Sequence, residues 1–461
     1  MKLKYRIANK IKQISPQIAI VVALGLLASC DDYLTVEPRE SISDELAIAD
    51  KTSLNTALRG AYRSLGSGGY YGGTYVQLGF VPSGNVVYQV FNNLQDLNFL
   101  PEDGSFQSAW SAIYRTINIT NHIIQKAGGI ADINLTEAER QQIIGEAHFI
   151  RALAYFDLAR AFGGVPLKLA PTVDIANDAT LSRSSISDTY AQVHSDLDVA
   201  EVNVGNSVNR VRATRHAVWA LKARYYLYNH QWDKAIEYAT RVIDQSDSYN
   251  LVFPFDSWFK NGVSQTAESV FEVAFSAQNT NDLRTTMSLL AKGGEYRFRP
   301  SDGVVSVLKK SDTGGDRLAL IDSVKQTNAT LYAGALYYRT PATDPSYILR
   351  IAEQYLIRAE ARAQADDLSG AIDDLNTVRE RAKLPHTDAV ARDAILDAIL
   401  DERRLEFLWE SHRYFDLART GNLKREIEAL KPNLTITEKH NLFPIPSNEV
   451  ILGGLEQNPD Y

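Results

Sequence analysis

A single thiol, a row of carboxylates at helical spacing and a scatter of aromatic rings are the groups in this chain with chemistry to offer. The thiol is Cys30, the one cysteine among 461 residues. It follows Leu27-Ala28-Ser29 at the end of an apolar run, Ile18 to Leu27. Small residues before a cysteine at that place mark a lipoprotein signal. Cys30 is then diacylated and becomes the new N-terminus, and two acyl chains anchor a protein stably to a membrane where one is marginal. A lipidated thiol is no nucleophile, and a single cysteine forms neither an internal disulfide nor a cysteine-rich zinc or iron–sulfur site. The carboxylates are Glu402, Glu406 and Glu410, followed by Arg413. At i, i+4, i+8 and i+11 they share one face of a helix. Paired catalytic carboxylates would suit that face; an ion-pair ladder with Arg403, Arg404 and neighbouring helices is the expected arrangement. There is no phosphate-binding Gly-x-x-x-x-Gly-Lys loop, no His-Glu-x-x-His and no Gly-x-Ser-x-Gly elbow. His148, His216 and His412 fall within helical patterns and are expected packed or singly exposed, not as metal ligands. Neither catalysis nor a cofactor nor a metal is expected.

The rings are the stronger signal. Tyr70, Tyr71, Tyr75, Tyr88 and Phe91 lie in one irregular stretch, and Trp258, Tyr296 and Tyr338 in a second, beside Phe255, Phe259, Phe298, Tyr332 and Tyr337. The run Gly66-Ser67-Gly68-Gly69-Tyr70-Tyr71-Gly72-Gly73 lacks the register of a dinucleotide fingerprint and reads as a flexible loop displaying tyrosines. Exposed rings stack on the apolar faces of sugars, and a tyrosine adds a hydroxyl. The competing reading is that such rings pin loops to a helical body.

The elements that must position these groups are mainly helices. A composition of 45% hydrophobic and 23% charged residues fits a folded body, not a disordered chain. The net charge of −8 disfavours a general nucleic-acid binder, which needs clustered cations. Lys2, Lys4, Arg6, Lys10 and Lys12 form a basic leader with no acidic residue before Asp31. Cleaving residues 1–29 removes those five charges, so −8 becomes −13. Residues 30–461 then form one body. No later stretch is apolar enough to cross a membrane as a helix. Thr214 to His230 and the segment around Ala235 to Ile243 repeat apolar residues at helical spacing, and Trp219, Ala223, Tyr226 and Ala235 fit the tetratricopeptide pattern. A second pair holds Tyr355, Ala359 and Arg362, then Ala371, Leu375 and Val378, with Ser369 and Gly370 at the turn. Glu137 to Phe162 reads as one helix stopped by Gly163-Gly164-Val165-Pro166, and Arg392 to Thr420 as another ended by Gly421. The scaffold is expected mainly over 106–245 and 348–424, and a loop-rich binding face over 64–105 and 246–345.

Several stretches converge on a family. Trp110-Ser111-Ala112-Ile113-Tyr114, Arg151-Ala152-Leu153-Ala154-Tyr155-Phe156-Asp157-Leu158 running into Phe162-Gly163-Gly164-Val165-Pro166, and Arg350-Ile351-Ala352-Glu353-Gln354-Tyr355-Leu356-Ile357-Arg358-Ala359-Glu360-Ala361 occur in order. So do Glu402-Arg403-Arg404-Leu405-Glu406, Arg413-Tyr414-Phe415-Asp416-Leu417, Phe443-Pro444-Ile445-Pro446 and the terminal Asn458-Pro459-Asp460-Tyr461. Behind Cys30 and Asp32-Tyr33-Leu34, this series resembles the SusD/RagB family of outer-membrane nutrient-binding lipoproteins along essentially the whole chain. Asp31 and Asp32 resemble a surface-export signal of Bacteroidetes-type bacteria. The resemblance implies a mainly α fold, in which tetratricopeptide-like helix pairs form a right-handed scaffold carrying an inserted loop-rich ligand face. It also implies a lid on a SusC-like TonB-dependent transporter, capturing a glycan or, in some members, a peptide; a surface hydrolase is the remaining alternative. Where the family often has Glu-Gly-x-Arg this chain has Glu410-Ser411-His412-Arg413, expected to change local packing alone. The chain is short for the family and the variable regions carry specificity, so the resemblance does not transfer a ligand.

Overall fold

In the computed structural model, which describes residues 48–89, 93–172 and 182–461, the long helices start where the chain supplies caps. They are α1 (Lys51–Leu65), α2 (Gly104–Ala127), α3 (Glu137–Phe162), α4 (Ile186–Asn203), α5 (Arg215–Tyr228), α6 (Trp232–Ile243), α7 (Ile351–Gln364), α8 (Leu368–Arg381) and α9 (Arg392–Glu406). Thr136 and Glu139 make a reciprocal capping box at the start of α3, and Gly163, with φ +79°, ends it. Thr214 caps α5 through the Ala217 amide, and Asp367 caps α8 through that of Gly370. Ser369 and Gly370 therefore sit in the first turn of α8, one step later than the turn expected from sequence.

Each helix packs on the next in chain order, and α6 packs on α7 across the long 246–345 insertion. The stack is therefore continuous, and the insertion leaves and re-enters it at neighbouring points. Small side chains allow the close approach: Ala235 and Ala239 are buried on α6, and Ala352, Ala359 and Ala363 on α7. Leu356, Leu375, Val378, Ile395 and Ile399 fill the core of the last three helices. Each such side chain contributes on the order of 1.5–3 kcal/mol when fully buried. Residues Asp50–Tyr461 form one compact unit. The mainly helical scaffold of paired helices agrees with the sequence reading.

The strands are short and antiparallel. Strands β1 (Val86–Tyr88), β2 (Ser269–Val273), β3 (Phe298–Pro300), β4 (Ile321–Lys325), β5 (Thr330–Gly334) and β6 (Ser346–Arg350) pair as β1 with β3, β2 with β6 and β4 with β5. The β1–β3 register runs from Val86 opposite Pro300 to Tyr88 opposite Phe298. It stitches the two loop-rich segments together. Strand β6 runs straight into α7, so the buried β2–β6 pair ties the base of the insertion to the helical stack.

One element differs from expectation. Arg392 to Thr420 is not one helix: α9 stops at Glu406 and a second short helix covers Arg413–Arg419. Between them Phe407, Leu408 and Trp409 turn into the core. Trp409 Nε1 donates to the Leu320 carbonyl at 2.7 Å, and Arg413 donates to the Leu400 carbonyl at 3.0 Å. These contacts outweigh continuation of the helical hydrogen bonds. Glu410 and Arg413 consequently lie beyond the helix that holds Glu402 and Glu406.

Candidate ligand-binding site

Helix α3 is buried on all sides from Phe149 onward, so every charge on that stretch must be paired. Arg151 grips Asp196 of α4 at 2.7 and 2.9 Å. Asp157 pairs with Arg160 at 2.8 Å and also accepts from the Tyr70 and Tyr71 hydroxyls at 2.7 and 2.5 Å. Arg160 donates to the Tyr75 hydroxyl at 2.8 Å and covers the Phe415 ring at 4.4 Å. Tyr70 and Tyr71 stack at 4.4 Å, with Tyr75 edge-on to both. Burial, reinforced by the Asp157 charge, pushes the Tyr70 and Tyr71 phenols well above the usual tyrosine range. The glycine run before them is not a flexible display loop. A Cβ on Gly69 would lie 2.6 Å from the Ser108 carbonyl oxygen, and one on Gly72 2.5 Å from that of Gly66. The expectation that Tyr70, Tyr71 and Tyr75 offer exposed faces is thus corrected: buried polar partners on α3 and α3's own bulk enclose them. Trp258 is corrected likewise. It is fully buried, with Arg350 4.3 Å over its ring and Tyr347 4.7 Å edge-on.

Tyr338 has the opposite surroundings. It is 37% exposed, and its hydroxyl is fixed by the Gly262 amide at 2.9 Å. Its ring lines a hollow of about 310 Å3 together with Lys260, Asn261, Ser288, Lys292 and Asp322. Apolar wall comes from Leu289, Ile321, Ala333 and Ala335. Gly334 also lines this wall, and a Cβ there would strike Met287 and come within 3.1 Å of the Trp409 ring. A second hollow of about 690 Å3 shares Lys260, Ile321 and Asp322 and adds Tyr332, Lys309, Asp316 and Lys383. Three of the four lysines here pair with carboxylates. Lys292 pairs with Asp322, Lys383 with Asp316 at 3.0 Å and Lys260 with Asp256 at 3.5 Å, while Lys309 meets the Tyr332 hydroxyl at 3.3 Å. The cleft therefore offers an aromatic face and many polar groups with little unbalanced charge, which suits a neutral polar ligand.

Tyr296 and Tyr88 line neither hollow. Tyr296, half-buried at φ +48°, donates to the Tyr332 carbonyl on β5 at 3.0 Å. Half-buried Tyr88 rests 5.6 Å from Phe298 across the β1–β3 pair. Phe91 and Cys30 lie outside the described residues. Sequence reasoning weighted rings and missed Lys260, Asn261, Lys292 and Asp322. The tract Phe259-Lys260-Asn261-Gly262, with polar residues directly after two rings, was the available signal.

The carboxylate row is internal. Arg350 binds Glu268 at 2.8 Å, Glu406 at 2.9 Å and Glu410 at 2.9 Å. Arg317 adds Glu402 and Glu406, and Arg381 adds Glu268 and Glu406. The partners are arginines of other elements, while Arg403 serves Asp416 and Arg404 serves Asn85. Burial opposes ionisation of Glu406, but Arg381, Arg317 and Arg350 outweigh it and hold the carboxyl at about 2. At Glu410 burial prevails over Arg350 and pushes the carboxyl up to about 7. All of these groups are buried and hold β6, α8 and α9 together. Among the described residues no cluster of His, Asp, Glu or Cys has metal-ligand geometry.

Comparisons with known proteins agree with this architecture. A model described as the SusD family matches residues 276–461, and one described as starch-binding and associating with the outer membrane matches residues 32–227. A SusD-like protein of Formosa agariphila is 26% identical over 98% of this chain and 100% of its own. The starch-binding protein SusD of Bacteroides thetaiotaomicron is 23% identical over 71% of this chain and 74% of its own. A SusD superfamily structure from Bacteroides vulgatus superposes with a TM-score of 0.79, 22% identity and coverage of 89% of this chain and 99% of that one. A laminarin-binding SusD-like protein gives 0.76 and 21%, covering 90% and 100%. The two matched models together span most of the sequence, and the solved structures share the fold: the chain belongs to the SusD/RagB family, whose members bind glycans and associate with the outer membrane.

Proposed function

We propose that this protein captures a neutral oligosaccharide in the Tyr338 cleft, is held to the outer membrane by diacylated Cys30, and delivers its ligand to a TonB-dependent transporter that it covers on the exterior face. The observation that carries the reading is the cleft: a fixed, partly exposed ring beside polar groups whose charges are matched. A capturing lid needs affinity without turnover, and the carboxylates of the α9 region are bound to arginines in the interior. The starch-binding description of the matching family and the laminarin-binding structural neighbour support a glucan-type ligand.

Affinity electrophoresis of the purified full chain through gels containing laminarin, starch or other neutral glycans tests the ligand class. Retardation by at least one is expected. No retardation, with endogenous peptides in the mass spectrum of the purified protein, would assign the cleft to peptides. The anchor has a separate test. Cys30→Ser abolishes lipid labelling and releases the protein from membranes, whereas unlabelled protein that stayed on the membrane would require another anchor. Co-purification of a TonB-dependent transporter with the tagged chain tests the partner.

A further inference from the structure

A third hollow, of about 420 Å3, lies apart from that cleft, between α1, the end of β2 and the turn that follows it. Its electrostatics differ from those of the Tyr338 cleft. Phe271 and Val273 are buried in its wall, and the half-buried ring of Phe275 stands beside them. Tyr62 closes one side. Its hydroxyl donates to Glu146 at 2.6 Å, and Arg212 lies 4.9 Å over its ring while binding the same Glu146 at 2.5 and 2.9 Å. Arg212 is therefore already neutralised. Arg59 and Arg63 are not. They are exposed, one helical turn apart on α1, and both line the hollow. Among the described residues the Arg59 guanidinium donates only to the Thr56 hydroxyl, at 2.8 Å, and Arg63 has no side-chain partner. Glu272 shares the wall; its Oε1 accepts from the Gln265 amide at 2.9 Å, its Oε2 is buried without a hydrogen bond among the described residues, and burial pushes the carboxyl above its ordinary range, towards the neutral form. On the opposite rim the reciprocal backbone bridge between Ser276 and Asn279 fixes a tight turn. That turn presents the side-chain amides of Gln278 and Asn279, which also make no hydrogen bond among the described residues.

An apolar wall, two unpaired guanidiniums and two free amides define a ligand. It carries a planar oxyanion, a flat apolar face and several hydroxyls. Guanidiniums bind carboxylates with directional, charge-assisted hydrogen bonds, and rings accept the C–H face of a pyranose. We propose that this hollow is a second saccharide site, selective for a hexuronic acid unit: Arg59 and Arg63 hold its carboxylate, Phe275 supports its ring face, and Gln278 and Asn279 bond its hydroxyls. A peptide carboxylate satisfies the arginines but leaves the rest of the constellation without a match. The site is separate from the Tyr338 cleft and does not depend on the ligand assigned there.

Calorimetric titration of the detergent-solubilised full chain with trigalacturonate, its methyl ester and triglutamate tests this. Trigalacturonate binds at least about tenfold more tightly than its ester, and its affinity falls as salt is raised. The Arg59→Gln/Arg63→Gln variant loses that preference while melting at the wild-type temperature, since neither side chain has a tertiary partner among the described residues. Tyr338→Ala leaves trigalacturonate binding unchanged, which separates failure here from failure of the cleft assignment. Equal affinity for acid and ester, absence of trigalacturonate binding, or binding insensitive to the double variant would overturn the proposal. Triglutamate binding as tightly as trigalacturonate would reassign the site to acidic peptides.

Discussion

Tyr70, Tyr71 and Tyr75 on one side and Tyr338 of the cleft on the other are the same residue type in loop-rich segments, yet they have opposite fates. Tyr70, Tyr71 and Tyr75 are buried against Asp157 and Arg160. Tyr338 keeps its ring partly exposed, with its hydroxyl tied to local backbone. The difference lies in the partner. A buried charged pair on α3 needs hydrogen bonds from whatever covers it, and the phenols supply them. The buried charge beside Tyr338 is Asp344, which takes its hydrogen bonds from the Tyr338 and Arg339 backbone amides and pairs with the Arg339 guanidinium, so it makes no demand on the phenol; the hydroxyl is held by a loop amide and the ring stays partly exposed. A tyrosine-rich loop becomes core or platform according to the charges beneath it.

Removing that buried charge should give the largest effect. Asp157→Ala removes the carboxylate from Arg160 and from the Tyr70 and Tyr71 phenols, and a loss of about 3–5 kcal/mol is expected in denaturant unfolding. Asp157→Asn, which keeps one acceptor oxygen, should recover part of it. An Asp157→Ala protein as stable as wild type would erase the distinction between the two regions.

Acid probes the interior charges more widely. The folded-state carboxyl of Glu406 sits at about 2, below its ordinary value of 4.5. Between those limits the unfolded chain binds the extra proton, so stability present above pH 4.5 is lost as pH falls towards 2. Glu406→Gln should flatten the slope of unfolding free energy against pH in that window. An unchanged slope would mean that the arginines do not hold this carboxylate.

Smaller changes sharpen the contrast. Tyr71→Phe removes one hydroxyl from Asp157 and should cost about 1–2 kcal/mol of stability, with glycan affinity untouched. Tyr338→Ala should shift stability by less than about 1 kcal/mol, because the ring is partly exposed and leaves no sealed cavity. Thermal melts of the two variants side by side check both statements. A larger loss for Tyr338→Ala than for Tyr71→Phe would reverse the roles.

Much of the scaffold was legible from spacing alone. Glu137–Phe162 begins and ends where Thr136, Glu139 and Gly163 indicate, and the small residues of α6 and α7 mark where helices meet. The break after Glu406 was not legible, since it arises from Trp409 and Arg413 reaching carbonyls distant in sequence. The aromatic candidates show the same limit. Nothing local to Gly68-Gly69-Tyr70-Tyr71 announces Asp157, more than eighty residues away. The lysines and Asp322 of the cleft come together through the β4–β5 hairpin and the loop at Lys260, a tertiary arrangement without local periodicity.

The most direct test of the glycan-capturing cleft is the dissociation constant of laminarihexaose or maltohexaose for wild type, Tyr338→Ala and Tyr71→Phe, measured by calorimetry on folded protein. Binding of at least one hexaose is expected, with affinity reduced about tenfold in Tyr338→Ala, as loss of a stacking ring predicts, and unchanged in Tyr71→Phe. Wild-type affinity in Tyr338→Ala, or a loss confined to Tyr71→Phe, would contradict the assignment.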